Sequence, residues 1–330
     1  MAEARGTGVP TASNAPARPG SDAASPHRID VRGWRLVARR AGRHVLSDRL
    51  QVLSAGISFF AILSVAPLLV TALSVYGAVN SPEQALAQLS SATGMLPDQL
   101  EPVVGDQLRS ITTASGRVLT VRGLTGLLVA LWTATTAATF LIDALTLAYR
   151  ATETRSFLRR SGIALLVVLG GAVLLGAVIT VVGLVSRATA GAPEPLRLLL
   201  RVLAWPALAA VMAAALAALY RFAPDRKNAQ WRWISGGAVL ATLLWLVASI
   251  ALFTYVQTLG DYRSTYGSLA GVAISMIWLW ITVFLVIVGA AVNAESERET
   301  VRDSTVGPEQ PVGQRGAAVA DSIPPYPAEE

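Results

Sequence analysis

Six apolar stretches, each long enough to cross a bilayer and each free of lysine and arginine, constrain this chain more than any other feature. They lie near 52–78, 123–147, 162–186, 202–220, 234–258 and 268–292. A helix rising about 1.5 Å per residue needs about 20 apolar residues to cross the hydrocarbon layer. All 27 basic residues fall outside these stretches, and Asp143 is the single acid inside one. Charge at mid-membrane is expensive, so the pattern predicts an all-α, polytopic bundle of six transmembrane helices. Composition agrees: 15% of residues are charged, against about 25% in soluble domains. Cysteine is absent, which excludes disulfides and thiolate metal sites. Nothing in the residues calls for a cofactor.

Orientation follows from the connections. Residues 28–49 and the 2–3 and 4–5 connections together carry fifteen basic residues, and the 1–2, 3–4 and 5–6 connections carry seven. By the positive-inside rule both termini are cytoplasmic. The net charge of +6 could suggest nucleic acid, but the arginines flank apolar spans. The partner expected there is a bilayer with anionic headgroups, not nucleic acid.

Residues 1–27 and 299–330 are rich in Ala, Ser, Pro and Gly or end in acids, and read as disordered cytoplasmic tails. Between them and the spans, 28–50 interleaves Trp34, Leu36, Val37, Val45 and Leu46 with seven arginines, as an amphipathic helix on the membrane surface would. The outer loop 79–122 holds Leu100, Val103, Val104, Leu108 and Ile111 at helical spacing.

Small residues such as Gly170, Gly171, Gly176 and Gly183 let helices approach closely in lipid, and Gly267 with Gly271 forms a GxxxG pair at the head of the sixth span. A homo-oligomer is left open by these faces. Pro67 and Pro206 should kink or break their helices. Hydroxyls are dense in the first two spans, including Ser58, Ser64, Thr135, Thr136 and Thr139. They either bond the preceding turn or line a hydrated path. Asp143 completes this candidate intramembrane polar site. Alternatively it reaches interfacial water, with Arg150 two turns on offsetting its charge.

Several segments together resemble the YihY/BrkB family of bacterial inner-membrane proteins, over roughly 34–298. They are SAGISFFAILSVAPLL at 54–69, RSFLRR at 155–160, YRFAP at 220–224, GGAVLATLLW at 236–245, FTYV at 253–256 and STYGSLAG at 264–271, before a tryptophan-containing last span. The resemblance implies a six-helix membrane fold in the bacterial inner membrane, and carries a historical "ribonuclease BN" label. One departure stands out. The family commonly ends its last span Gly-Ala-Glu, whereas here Gly289 and Ala290 precede Ala291, Asn293 is kept, and Glu295 follows one turn later.

A nuclease needs an acid–base pair or a metal cluster facing its substrate. The histidines, His27 and His44, lie in the basic N-terminal region, and the cytoplasmic acids show no ligand spacing. The expectation is a transporter or channel, with a non-transporting scaffold or lipid-interacting envelope factor as the alternative.

Overall fold

The computed structural model describes residues 21–79, 116–226, 230–258, 269–322 and 324. It is all-helical among these residues. An N-terminal helix, α1 (Val31–Ser47), precedes six long ones: α2 (Leu50–Val79), α3 (Gly116–Ala148), α4 (Phe157–Ala188), α5 (Glu194–Phe222), α6 (Trp231–Thr258) and α7 (Leu269–Glu297). Each of the six is long and apolar enough to cross a membrane. They run 28 to 33 residues, or about 42–50 Å at 1.5 Å per residue. That exceeds the roughly 30 Å hydrocarbon layer, so their charged ends project beyond it. Unbroken helix is the physical requirement, because lipid offers no partner to a free amide or carbonyl.

The helices form an incomplete ring. α4 packs on α3, α3 on α2 along most of its length, α2 on α7, α7 on α6, and α6 on α5. α4 and α5 follow one another in sequence, yet barely pack together. The buried residue of α4 is Ala164, and those of α5 are Leu216, Ala217 and Tyr220, all toward one end of the bundle. The core is concentrated at that end, which we call the base. There Val37, Ala41, Val45, Leu50, Ile142, Leu145, Tyr149, Tyr220, Ile234, Ile287 and Ala291 pack together. Away from the base, α4 and α5 turn Leu166, Val173, Leu175, Ile179, Val202 and Trp205 outward.

Three glycines allow the closest crossings. A Cβ on Gly237 of α6 would lie 2.1 Å from the Gly289 carbonyl of α7, and one on Gly289 would lie 2.7 Å from the Gly237 carbonyl. On α3, a Cβ at Gly126 would meet Pro67 O of α2 at 2.9 Å and Thr71 Oγ1 at 2.7 Å.

Several sequence expectations change here. α1 is capped by Asp30, whose Oδ1 accepts from the Gly33 amide at 2.7 Å. Its apolar residues Val37, Ala41 and Val45 are buried in the protein core, with α7 as the main neighbour. They therefore do not face lipid as an interfacial helix would. Residues 299–322, expected to form a tail, fold against the base. Arg315 is buried and donates to the carbonyls of Gln310, Arg302, Ala320 and Val301, while Val301 N donates to Ser21 O at 2.9 Å. Neither Pro67 nor Pro206 breaks its helix. Residues 1–20, the segment around 100–111 with its helical spacing and Gly267 lie outside the described residues, and Gly271 lies near the start of α7.

Candidate functional site

The base concentrates charge that the primary structure scatters over 260 residues. Glu295, near the end of α7, is wholly buried. Its Oε2 accepts from Arg40 Nε of α1 at 3.1 Å, and its Oε1 from Arg150 Nη2 at 3.0 Å and Arg298 Nη1 at 2.9 Å. Arg40 also reaches Glu299 through Nη2. One carboxylate thus joins the first helix, the end of the second span and the exit from the sixth. A buried carboxylate is tolerable only with such compensation. Arg150 attains this pose from a left-handed backbone, φ 52°, a conformation that side chains other than glycine and asparagine seldom adopt.

Beside this cluster, Arg226 Nη1 donates to Glu297 Oε1 at 3.1 Å while the guanidinium sits 3.8 Å from the centre of the Tyr149 ring. Burial, the largest influence, pushes the Tyr149 phenol up to about 12, so it stays a neutral hydroxyl. Asn293 Nδ2 donates to Ile234 O at 2.8 Å, and its Oδ1 accepts from the Gly237 amide at 2.6 Å. Tyr220 Oη donates to Val286 O at 2.7 Å. These bonds tie α5, α6 and α7 at the level where the glycines cross. Asp225 joins the α5–α6 turn to the α3–α4 turn by accepting from Thr154 N at 2.7 Å and Thr154 Oγ1 at 2.6 Å. Burial pushes its carboxyl up, but the Thr154 bonds and Arg155 outweigh it and hold the group below its ordinary value.

A depression of about 210 Å³ opens next to Glu295, lined by Arg40, Arg43, His44, Ser47 and Arg150. His44 is almost fully buried, with Nε2 3.2 Å from Ala148 O. Its Nδ1 lies 3.1 Å from Asp48 Oδ2, but without the alignment of a hydrogen bond.

Four of the hydroxyls in the intramembrane site expected from sequence bond within their own helices. Ser58 Oγ donates to Ser54 O at 2.7 Å, Ser64 Oγ to Ala61 O at 2.6 Å, Thr136 Oγ1 to Trp132 O and Thr139 Oγ1 to Thr135 O, both at 2.8 Å. Each hydroxyl is satisfied by its own helix, the alternative that backbone carbonyls within reach favour. Asp143 bonds Arg160 Nη1 of α4 at 3.0 Å, and not Arg150, which turns to Glu295. The pair is partly exposed at the base end of the span, so its charge is neutralised rather than held in mid-membrane. Arg40 and Arg226 counted in the sequence only toward orientation, and Arg150 also as a partner for Asp143. Their pairing with carboxylates some 70 to 255 residues away has no local signal.

The fold and the charged base define a class: a multi-pass helical membrane protein whose spans are joined at one end by a buried arginine–carboxylate cluster. The virulence factor BrkB family model matches residues 41–314, and the chain belongs to that family. Among curated proteins, YfkH of Bacillus subtilis (strain 168), named ribonuclease-like, is 30% identical over 51% of this chain and 63% of its own length. UPF0761 membrane proteins of Verminephrobacter eiseniae and Delftia acidovorans are each 26% identical over 79% of this chain and 62% of their own length. The chain therefore spans less than two thirds of those relatives. No solved structure matches. The membrane-protein relatives and the six apolar helices together make this a multi-pass membrane protein, as the motifs implied.

Proposed function

We propose that this protein is a transporter for an amphiphilic, lipid-like molecule, which enters sideways between α4 and α5, with the base facing the cytoplasm. The observation that carries the reading is the incomplete ring: two helices consecutive in sequence barely pack, and the large residues they leave exposed are apolar. An apolar opening suits an acyl chain better than an ion, which would need polar groups along its route. The internally bonded hydroxyls of α2 and α3 point the same way. The exposed arginines Arg32, Arg35, Arg39 and Arg43 of α1 suit anionic headgroups. A nuclease reading, raised by the name of the Bacillus relative, fits less well. Asp143, Glu295 and Glu297 already pair with arginines, which leaves them poor general bases or metal ligands.

The alternative is a static scaffold, favoured by the tight cluster around Glu295. Translocation of fluorescent phosphatidylglycerol in proteoliposomes separates the two. Gly171 and Gly176 of α4 have open space where a Cβ would stand, and five residues of helix set them about 140° apart. At least one of Gly171→Trp and Gly176→Trp should slow translocation fivefold or more, while Asp143→Asn, whose charge is already paired, leaves it unaltered. Translocation equal to that of protein-free vesicles leaves the scaffold.

A further inference from the structure

We propose that the depression at the base, between the end of α1 and the end of α3, binds a phosphate group. Its lining combines three guanidiniums, Arg40, Arg43 and Arg150, with the Ser47 hydroxyl and the His44 ring. Arginine is the side chain best shaped for phosphate, since its planar fork donates two parallel hydrogen bonds to one anion.

The local charge balance around the depression is positive. Three guanidiniums, those of Arg40, Arg150 and Arg298, bond the carboxylates Glu295 and Glu299, and a fourth, Arg43, lines the depression beside them; with Asp48 beside His44 counted, four cations face three carboxylates. Arg40 bonds these carboxylates through Nε and Nη2, and Arg150 bonds Glu295 through Nε and Nη2, so neither uses its Nη1 there. Arg43 is exposed and makes no ion pair among the described residues. Clustered cations without matching anions repel one another, and an added dianion relieves that repulsion. Asp48 is the carboxylate facing His44, on the same helix end.

His44 provides a second, separate indication. Its side chain is 1% exposed, and Nδ1, 3.1 Å from Asp48 Oδ2, forms no aligned hydrogen bond. A buried ring nitrogen without a partner is costly, and native structures rarely leave one so. Backbone geometry adds a third. Arg49 and Arg150 are the two residues other than glycine with positive φ among the described residues, at 53° and 52°. Arg49 occupies the α1–α2 junction, two residues beyond the lining Ser47, and Arg150, at the end of α3, lines the depression itself. Strained conformations of this sort persist where the surroundings over-determine them, and they cluster at ligand sites. The volume is ample: a water occupies about 30 Å³, so a phosphate and several bridging waters fit within 210 Å³.

Phosphate could arrive as a lipid headgroup or as a free phosphorylated solute. This site stands apart from the translocation reading, because binding is measured without flux. The full chain, purified in a non-ionic detergent, is titrated calorimetrically with inorganic phosphate and, separately, with short-chain phosphatidic acid. Saturable binding of at least one probe is expected, weakened tenfold or more in Arg43→Gln. That variant removes the lining arginine that takes no part in the Glu295 cluster, so its melting temperature without ligand should match the parent. Arg32→Gln, which removes an equal charge elsewhere on α1, should bind as the parent does. Binding of both probes assigns the site to a soluble phosphate, and binding of phosphatidic acid alone assigns it to a headgroup. Two results overturn the proposal. One is that neither probe binds. The other is that Arg43→Gln and Arg32→Gln bind alike.

Discussion

Glu295 illustrates how one residue can hold distant parts of a chain. It is buried, and among the described residues every hydrogen bond to its carboxylate comes from an arginine. Neutralising it should leave three guanidiniums crowded around an amide that matches them poorly. Breaking a buried pair in this way typically costs on the order of 3–5 kcal/mol. Glu295→Gln should therefore lower the melting temperature of the detergent-solubilised protein substantially. Asp143→Asn, by contrast, disturbs a partly exposed pair worth about 1 kcal/mol or less. Equal melting temperatures for the two variants would refute this ranking. Both carboxylates are visible in the sequence, one as the lone intramembrane acid and one as a stand-in one turn beyond Ala291. Which of them is buried is not visible, because burial depends on arginines supplied by α1 and by the end of α3.

At the scale of the element, glycines of identical chemistry have opposite roles. Gly126 faces Pro67 O at 2.9 Å and Gly176 faces open space. Gly126→Ala should cost about 1–3 kcal/mol through overpacking at the α2–α3 crossing. Gly176→Ala should be neutral or stabilising by up to about 1 kcal/mol, since alanine is the better helix former. Thermal denaturation of the two variants checks the difference in sign. Residues 299–322 offer a second test. Asp303 Oδ1 accepts from Thr305 N at 2.8 Å and Thr305 Oγ1 at 2.7 Å, and Oδ2 from Gln310 N at 3.0 Å. Burial pushes its carboxyl up, but these bonds and Arg315 prevail and hold it below the ordinary 3.8. A lowered folded pKa contributes stability that is present above the ordinary value and lost as pH falls through the lowered one. A fluorophore on exposed Val306→Cys should keep constant anisotropy from pH 6 to about 4 and become more mobile below. Added Asp303→Asn should make it mobile throughout, and a pH-independent signal in both chains would refute the role of Asp303. Composition alone gives this segment no apolar period, so its packing could not be read from local pattern.

For the whole molecule, the Arg40–Glu295 bond places the N-terminal helix and the exit of the last span at the same end, as an even number of spans requires. The arginine bias predicts that this end faces the cytoplasm. Because the chain has no cysteine, single substitutions report sidedness directly. In intact cells a membrane-impermeant maleimide should label Ala190→Cys, in the α4–α5 connection, and spare Val306→Cys until the cells are opened. The reverse labelling would invert the topology. The number of apolar spans and the family were legible in the sequence, because lipid imposes its constraint locally: each crossing segment must be apolar and helical on its own. The order of packing around the ring, the opening between α4 and α5, the docking of the apolar face of α1 on the bundle and the burial of Glu295 were not. Lipid-facing and helix-facing apolar residues look alike in sequence, and an arginine gives no sign of which carboxylate it will meet. Only the tertiary structure decided those, by bringing together charges that no local rule connects.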